Sequence, residues 1–287
     1  MIGKFSALAL CLLMATFPLY LAFAQSPGGQ LIIEEGFESG KLVFNASGNP
    51  PEVVQTPDAR AGKYVMKSVL TNTSKVLKRT EASISEQIVN FDVGNEYWIG
   101  ISIRLGEDFR DGSALNDQGI LLQWHYRDWL HPEVRGAQPL LLRYSDDKIH
   151  VHNEVLKKYM ASVPPAFGEW VDWVIHVIFA DKGGLIQVWK NGKRIVDWKG
   201  DNHQTEKHEG AYLKFGLYSY QYEKDPPKAR FTRTVYHDEL RVSGADGSYE
   251  LVAPRDSDGY IKSEKTFAGN VLSFVNSKFK TTEIGIR

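Results

Sequence analysis

The sequence predicts an all-β fold of two packed antiparallel sheets, one curved so that its outer face forms a groove. Three observations carry that expectation. Apolar residues alternate with a period of two along many short segments, and helical periodicity is scarce between Gln30 and Val252. Turn signals punctuate these segments about every 8–12 residues, with no helices alternating between them. The stretch 212–221 has two unlike faces: Leu213, Phe215 and Leu217 on one, and Tyr212, Lys214, Tyr218 and Tyr220 around Gly216 on the other. A solvent-facing strand ordinarily carries Thr, Lys and Glu. Phenols around a residue without a side chain suit a surface that a flat, hydroxylated molecule approaches closely.

Residues 1–24 read as a removed secretory signal. Lys4 supplies the positive start, residues 8–13 and those after them an apolar run, and Ala22-Phe23-Ala24 a small-residue cleavage site before Gln25. Pro18 interrupts that run, and no second run approaches the roughly 18 residues needed to cross a bilayer. The mature chain is therefore expected to be secreted or periplasmic, off the membrane, and monomeric. The one cysteine, Cys11, lies inside the signal, which leaves the mature chain without disulfides or cysteine metal sites. About 263 residues can rely on a core instead, since chains of this length bury roughly 70–75% of their unfolded surface. A net charge of −1, or −2 without Lys4, gives no footprint for nucleic acid. Seven Trp and 13 Tyr point instead to sugars, whose C–H groups stack on aromatic faces.

Residues 31–33 begin a strand that ends in a Gly-rich acidic turn, 34–40, and 45–51 form a loop closed by Pro50-Pro51. Residues 64–69 read as a strand and 72–74 as a turn; 74–84 follow, with Arg79 and Glu81 on one face. In 97–105, Tyr97, Ile99, Ile101, Ile103 and Leu105 point one way, and Trp98, Gly100, Ser102 and Arg104 the other. In 120–127, Leu122, Trp124 and Tyr126 oppose Gln123, His125 and Arg127. A loop with an aromatic tip follows, carrying Trp129 and His131. Residues 140–144 and 148–152 flank Ser145-Asp146-Asp147 as a hairpin, which puts His150 and His152 on one face. Residues 170–179 form a β-branched, aromatic strand, and 185–190 and 193–198 pair across Asn191-Gly192, a type I′ signal. A charged loop, 201–210, leads to the Tyr212 strand, 222–228 is a Pro-containing loop, and 232–242 is the last strand. This spacing fits a β-jelly roll over residues 25–254, followed by a Ser-, Lys- and Gly-rich tail, 255–287, with weak patterning.

An amide, an imidazole and a guanidinium (Gln123, His125, Arg127) aligned at strand spacing, together with the tyrosine strand, make a polar, aromatic groove. Arg104, on the polar side of its own strand, and Trp129, at a loop tip, are expected to line it as well. The plainer alternative is a satisfied polar face, in which Arg79–Glu81 is a surface ion pair worth under about 1 kcal/mol.

Three short motifs then bring a resemblance. Arg79-Thr80-Glu81, Gln123-Trp124-His125 and the Tyr212–Tyr218 strand occur in the order of R-T-E-x-R, Q-x-H and Y-F-K-A-G-x-Y-x-Q in jelly-roll alginate lyases. The wider layout is similar to the heparin lyase I-like and glucuronan lyase group, with a Trp-rich strand, a V-W-x-N-G hairpin (Val188 to Gly192) and a Y-x-K-x-G-x-Y strand. The resemblance covers residues 30–253. Ser83 replaces the second arginine of the first motif and Tyr220 the glutamine of the last, which leaves alginate, glucuronan and related polyuronates open.

The resemblance implies β-elimination at a 4-linked uronate, with an acidic polysaccharide as substrate and no catalytic cofactor. The carbon 5 proton is a poor acid beside a charged carboxylate, so a site must neutralise that carboxylate and stabilise an enolate dianion. The resemblance assigns Arg79 and Gln123 to the carboxylate, Arg as a bidentate cation, and His125 and Tyr218 to proton transfer. Lys214 is placed to act on that phenol through its charge, and Tyr212, Tyr220, Arg127, Arg104 and Trp129 to bind substrate. Related jelly rolls also imply a structural Ca²⁺, for which Glu38 and Asp238 offer hard oxygen ligands. Two other readings compete: a non-catalytic sugar-binding jelly roll, and a β-sandwich glycoside hydrolase. The hydrolase needs two carboxylates across the bond, and adjacent Asp238 and Glu239 point to opposite faces of a strand.

Overall fold

The computed structural model describes residues 29–73, 75, 78–110, 119–127, 137–204, 210–219 and 231–262. The expected signal, the loop bearing Trp129 and His131, Tyr220, the loop 222–228 and the tail beyond 262 lie outside the described residues.

Strands are numbered in chain order. One sheet holds eight: β1 (Leu31–Glu35), β3 (Glu52–Gln55), β4 (Tyr64–Thr71), β6 (Glu96–Leu105), β11 (Trp170–Ile178), β12 (Leu185–Lys190), β13 (Lys193–Lys199) and β15 (Thr232–Ser243). Its order is β13-β12-β11-β6-β15-β4-β3, with β1 also on β15. The second sheet holds β2 (Asn45–Gly48), β5 (Arg79–Ser83), β7 (Gly119–Tyr126), β8 (Leu140–Ser145), β9 (Lys148–Asn153), β10 (Lys158–Val163) and β14 (Ala211–Tyr218). Its order is β10-β9-β8-β7-β14-β5-β2. Every strand pairing is antiparallel. The fold is a β-jelly roll.

Alternation decides what lies between the sheets. Leu122, Trp124 and Tyr126 of β7 and Leu213, Phe215 and Leu217 of β14 join Ile99, Ile101 and Ile103 of β6 and Trp173, Ile175 and Val177 of β11 in one core. Trp124 sits at its centre, edge-on to Phe91 at 5.7 Å and to Phe179 at 5.6 Å. Each fully buried side chain of this size contributes roughly 1.5–3 kcal/mol, which replaces the staples the chain lacks.

Local chemistry behaves as expected at the β12–β13 turn, where Asn191 (φ 48) and Gly192 (φ 84) both adopt the left-handed conformation of a type I′ turn. Three edge strands were not expected. β2 has no large apolar side chain and pairs with β5; β3 is four residues long; and a bulge between Tyr159 and Ala161 hides the period of β10.

The outer face of the eight-stranded sheet is covered by the chain's own C-terminal part. A short helix, α1 (Tyr249–Val252), is capped by Ser248, whose Oγ accepts from the Leu251 N–H at 3.2 Å. It lies so close to β6 that a Cβ on Gly100 would stand 1.7 Å from the Val252 carbonyl oxygen. Packing continues past 254: Arg255 bridges Ile261, and Lys262 Nζ reaches Asp172 at 3.2 Å and Asn191 at 3.3 Å. Among the described residues, no helix is long and apolar enough to cross a membrane.

Candidate active site

The floor of the trough is built by three adjacent strands of the seven-stranded sheet, β5, β14 and β7. Because Leu213, Phe215 and Leu217 enter the core, the even-numbered residues of β14 face outward. Register then sets their neighbours. Tyr212 lies opposite His125, Lys214 between Gln123 and Ser83, Gly216 opposite Glu81, and Tyr218 opposite Arg79.

Glu81 is the hub. It is 1% exposed, and its carboxylate meets Lys214 Nζ at 2.8 Å, Arg79 Nε at 3.0 Å and Gln123 Nε2 at 2.7 Å. Ser47 on β2 accepts from Arg79 Nη1 at 3.3 Å and from Lys214 Nζ at 3.5 Å. Burial lowers the Lys214 ammonium's pKa, with Glu81 opposing and Arg79 adding to the shift. Two cations face one carboxylate, so the floor carries an excess positive charge, a ready field for an anionic substrate. Gln123 is fully buried; it spends a donor on Glu81, and its Oε1 has no partner among the described residues.

Arg79 also reaches Tyr218, its guanidinium carbon lying 4.4 Å from the ring centre, a cation–π contact. His125 belongs to another neighbourhood. Its Nδ1 lies 2.5 Å from the Tyr126 carbonyl oxygen, and its ring centre is 5.6 Å from that of Tyr212. A carbonyl can only accept, so Nδ1 carries a proton.

Arg79, Gln123, His125 and Tyr218 thus share one face, as expected, but His125 and Tyr218 are not neighbours. His125 pairs with Tyr212 of β14, six residues before Tyr218, about 20 Å at the rise of a strand. The expected proton-transfer pair is therefore split, one member beside Arg79 and the other beside Tyr212.

Other expectations change as well. Arg104 does not line the trough: it lies on the eight-stranded sheet, over the Tyr236 ring at 5.4 Å and 3.5 Å from Asp58. Arg127 lies at the end of β7, where Glu86 at 3.0 Å and Asn90 hold its guanidinium. Lys214 is bound to Glu81, and it is Arg79 that contacts the Tyr218 ring. Gly216 (φ 142) serves its own sheet, because a Cβ there would stand 2.3 Å from the Thr80 carbonyl oxygen. Trp129 and Tyr220 lie outside the described residues. Glu81 and Ser47 were not assigned a role from sequence; the period-two spacing of Arg79 and Glu81 was the available signal.

Glu38 and Asp238 converge on one turn. Glu38 Oε1 accepts from the N–H groups of Lys63 (2.8 Å) and Tyr64 (2.9 Å), and Asp238 Oδ2 from those of Arg60 (2.9 Å) and Ala61 (3.3 Å). Burial, with Glu239 adding to it, pushes the Asp238 carboxyl up to about 7 despite these hydrogen bonds. Among the described residues, no three acidic, His or Cys side chains gather as a metal cluster. His237 next to it points between the sheets, its ring 3.1 Å from the Leu121 carbonyl oxygen, so the 237–239 triplet puts no pair of carboxylates into the trough.

A jelly roll with a cationic, aromatic trough defines a class of carbohydrate-active fold, and residues 34–241 match the family model described as polysaccharide lyase. The chain belongs to that family and is a polysaccharide lyase, an enzyme with a polysaccharide substrate. No curated protein matches the sequence. Among solved structures, it is similar to an endo-β-1,4-glucuronan lyase from the fungus Trichoderma reesei, with a TM-score of 0.60 and 16% identity over 78% of this chain and 98% of that one. It is also similar to the alginate lyase AlgAT5 of polysaccharide lyase family 7 (TM-score 0.48, 12% identity, 70% and 85% covered) and to the cellulose-induced protein Cip1 (0.49, 16%, 73% and 96%). At these identities the likeness bears on the fold alone.

Proposed function

We propose that this lyase is exported and cleaves a 4-linked uronate polysaccharide, of the glucuronan or alginate kind, by β-elimination. The observation that carries the reading is the Arg79 guanidinium seated on Tyr218, in a floor with excess positive charge. Arg79 neutralises the uronate carboxylate. Tyr218 in its ionised form takes the carbon 5 proton, the carbon 4–oxygen bond breaks as the 4,5 double bond forms, and the phenol returns its proton to the leaving oxygen. One residue suffices where proton and leaving oxygen lie on one face of the sugar. Glu81 and Gln123 position Arg79 and Lys214, while His125 and Tyr212 bind the adjoining sugar.

One observation favours a second reading: the His125 ring lies 5.6 Å from Tyr212. In that version Nε2 is the base and the Tyr212 phenol the acid. A panel of glucuronan, alginate, heparin-like and pectin-like chains, read by ultraviolet absorbance of the unsaturated ends, tests the reaction. Absence of that absorbance with every polyuronate overturns it.

The reading extends to a structural calcium ion held by carboxylate oxygens of Glu38 and Asp238, with no part in the chemistry. Its support is the buried Asp238 carboxyl, which has backbone N–H groups beside it and Glu239 raising its pKa further. A hard cation would compensate that charge, with the remaining ligands drawn from carbonyls and water.

A further inference from the structure

The trough does not stop at β7. Across β8, β9 and β10 the outward residues continue it: Gln123 pairs with Leu141, Leu141 with His152, and His152 with Tyr159. In the next row Arg143 pairs with His150, and His150 with Ser162. Leu140, Leu142, Tyr144, Ile149 and Val151 enter the core, which turns Arg143, His150 and His152 to the same side as Gln123.

At the far end stands a built platform. Tyr159 is 47% exposed, although it lies flat on His150, with ring centres 4.2 Å apart at 21°, and meets His152 at 4.6 Å and 61°. His150 is fixed from both nitrogens, Nδ1 at 2.7 Å from Ser162 Oγ and Nε2 at 3.1 Å from the Ser145 carbonyl oxygen. His152 Nδ1 is shielded from solvent and has no hydrogen-bond partner among the described residues. Burial, then Arg143 and His150, push that imidazole down to about 4, so it is uncharged at neutral pH. Two imidazoles thus hold one face of a phenol ring still and leave the other open, while Arg143, two strands away on β8, acts electrostatically on His152 and on Glu154. An aromatic ring that served only the fold would turn inward, as Tyr144 on neighbouring β8 does.

An open ring face with a cation on the same side of the sheet matches a uronate, which has C–H groups on one face and a carboxylate at its edge. We propose that Tyr159, carried by His150 and His152 with Arg143 on the same face of the sheet, is a distal subsite for a uronate of the same polysaccharide chain. The assignment rests on the polyuronate reading above. Four strand spacings separate β10 from β14, which carries Tyr218, about 19 Å, so the subsite engages a sugar beyond the one undergoing cleavage.

The experiment uses the full chain and uronate oligosaccharides of defined length, followed by ultraviolet absorbance and by calorimetric binding. For the wild type, kcat/KM rises with length until both sites are spanned. In Tyr159→Ala that rise is lost: KM for long oligosaccharides increases about tenfold, kcat stays within about twofold, and the shortest cleavable substrates are unaffected. Tyr159→Phe keeps the stack and behaves as wild type, while Arg143→Gln weakens long oligosaccharides only. An unchanged length profile in a folded Tyr159→Ala protein overturns the subsite. Binding that weakens in Tyr159→Ala, without ultraviolet product from the wild type, overturns the cleavage reading and keeps the subsite. Absence of both product and binding overturns the two together.

Discussion

The Arg79 guanidinium touches Tyr218 on one side, 4.4 Å from its ring centre, and Glu81 on the other, 3.0 Å from Nε. A single side chain therefore links the buried charge network to the half-buried phenol.

That link ranks the trough's candidates. Tyr218→Phe removes only a hydroxyl and is expected to lower kcat by about 10²–10⁴-fold, with KM within a few-fold and melting temperature unchanged. Tyr212→Phe and His125→Ala are expected to act mainly on KM. Steady-state kinetics on a cleaved polyuronate decide the matter, and the opposite ranking would move proton transfer to the His125–Tyr212 pair.

Glu81 is expected to matter first for stability. Replacing it with Ala leaves Lys214, itself 2% exposed, and Arg79 without their shared anion. Breaking a buried pair from one side costs about 3–5 kcal/mol. Urea denaturation of Glu81→Ala should show that loss, and the double variant Glu81→Leu with Lys214→Leu should recover much of it without recovering activity.

Two adjacent residues of β15 tilt the pH dependence of stability in opposite directions. His237 is fully buried and its imidazole is pushed down to about 4 by burial, so the folded state stays neutral where the unfolded chain takes up a proton. Stability from this group is lost as pH falls from 6.5 through 4, by up to about 3 kcal/mol. Asp238 is raised to about 7, so its contribution is present below 3.8 and lost as pH rises through 7. Melting curves in metal-free buffer should show His237→Asn losing the acid-side fall and Asp238→Asn losing the alkaline-side one.

Calcium should act on the second of these alone. Added at pH 8, it is expected to raise the melting temperature of the wild type and leave Asp238→Asn unmoved, with chelation reversing the gain. An unmoved wild type removes calcium from the scheme.

The sheets themselves were legible because burial leaves a period of two in the sequence, and the opposed faces of β7 and β14 follow from residues such as Trp124 and Phe215. Register was not. Which residue of β7 faces Tyr218 depends on a bulge between Phe215 and Tyr218 that no local pattern announces, and which tyrosine lies beside His125 follows from pairing rather than from alternation. Arg104 misled for a related reason: alternation tells which side a residue takes, while sheet membership depends on pairing with residues far along the chain. Glu81 resembled any surface carboxylate until Lys214 and Gln123, from two other strands, joined Arg79 of its own strand around it.

The Val252 carbonyl occupies the space where Gly100 lacks a side chain, so β6 has been shaped around the chain's own end. A protein shortened to 248 would present Trp98, Val174 and Trp189 to water as a bare stripe, and clumping of such truncates is the expected cost. A truncate that keeps residues 249–262 keeps this cover and the Lys262 bonds to Asp172 and Asn191.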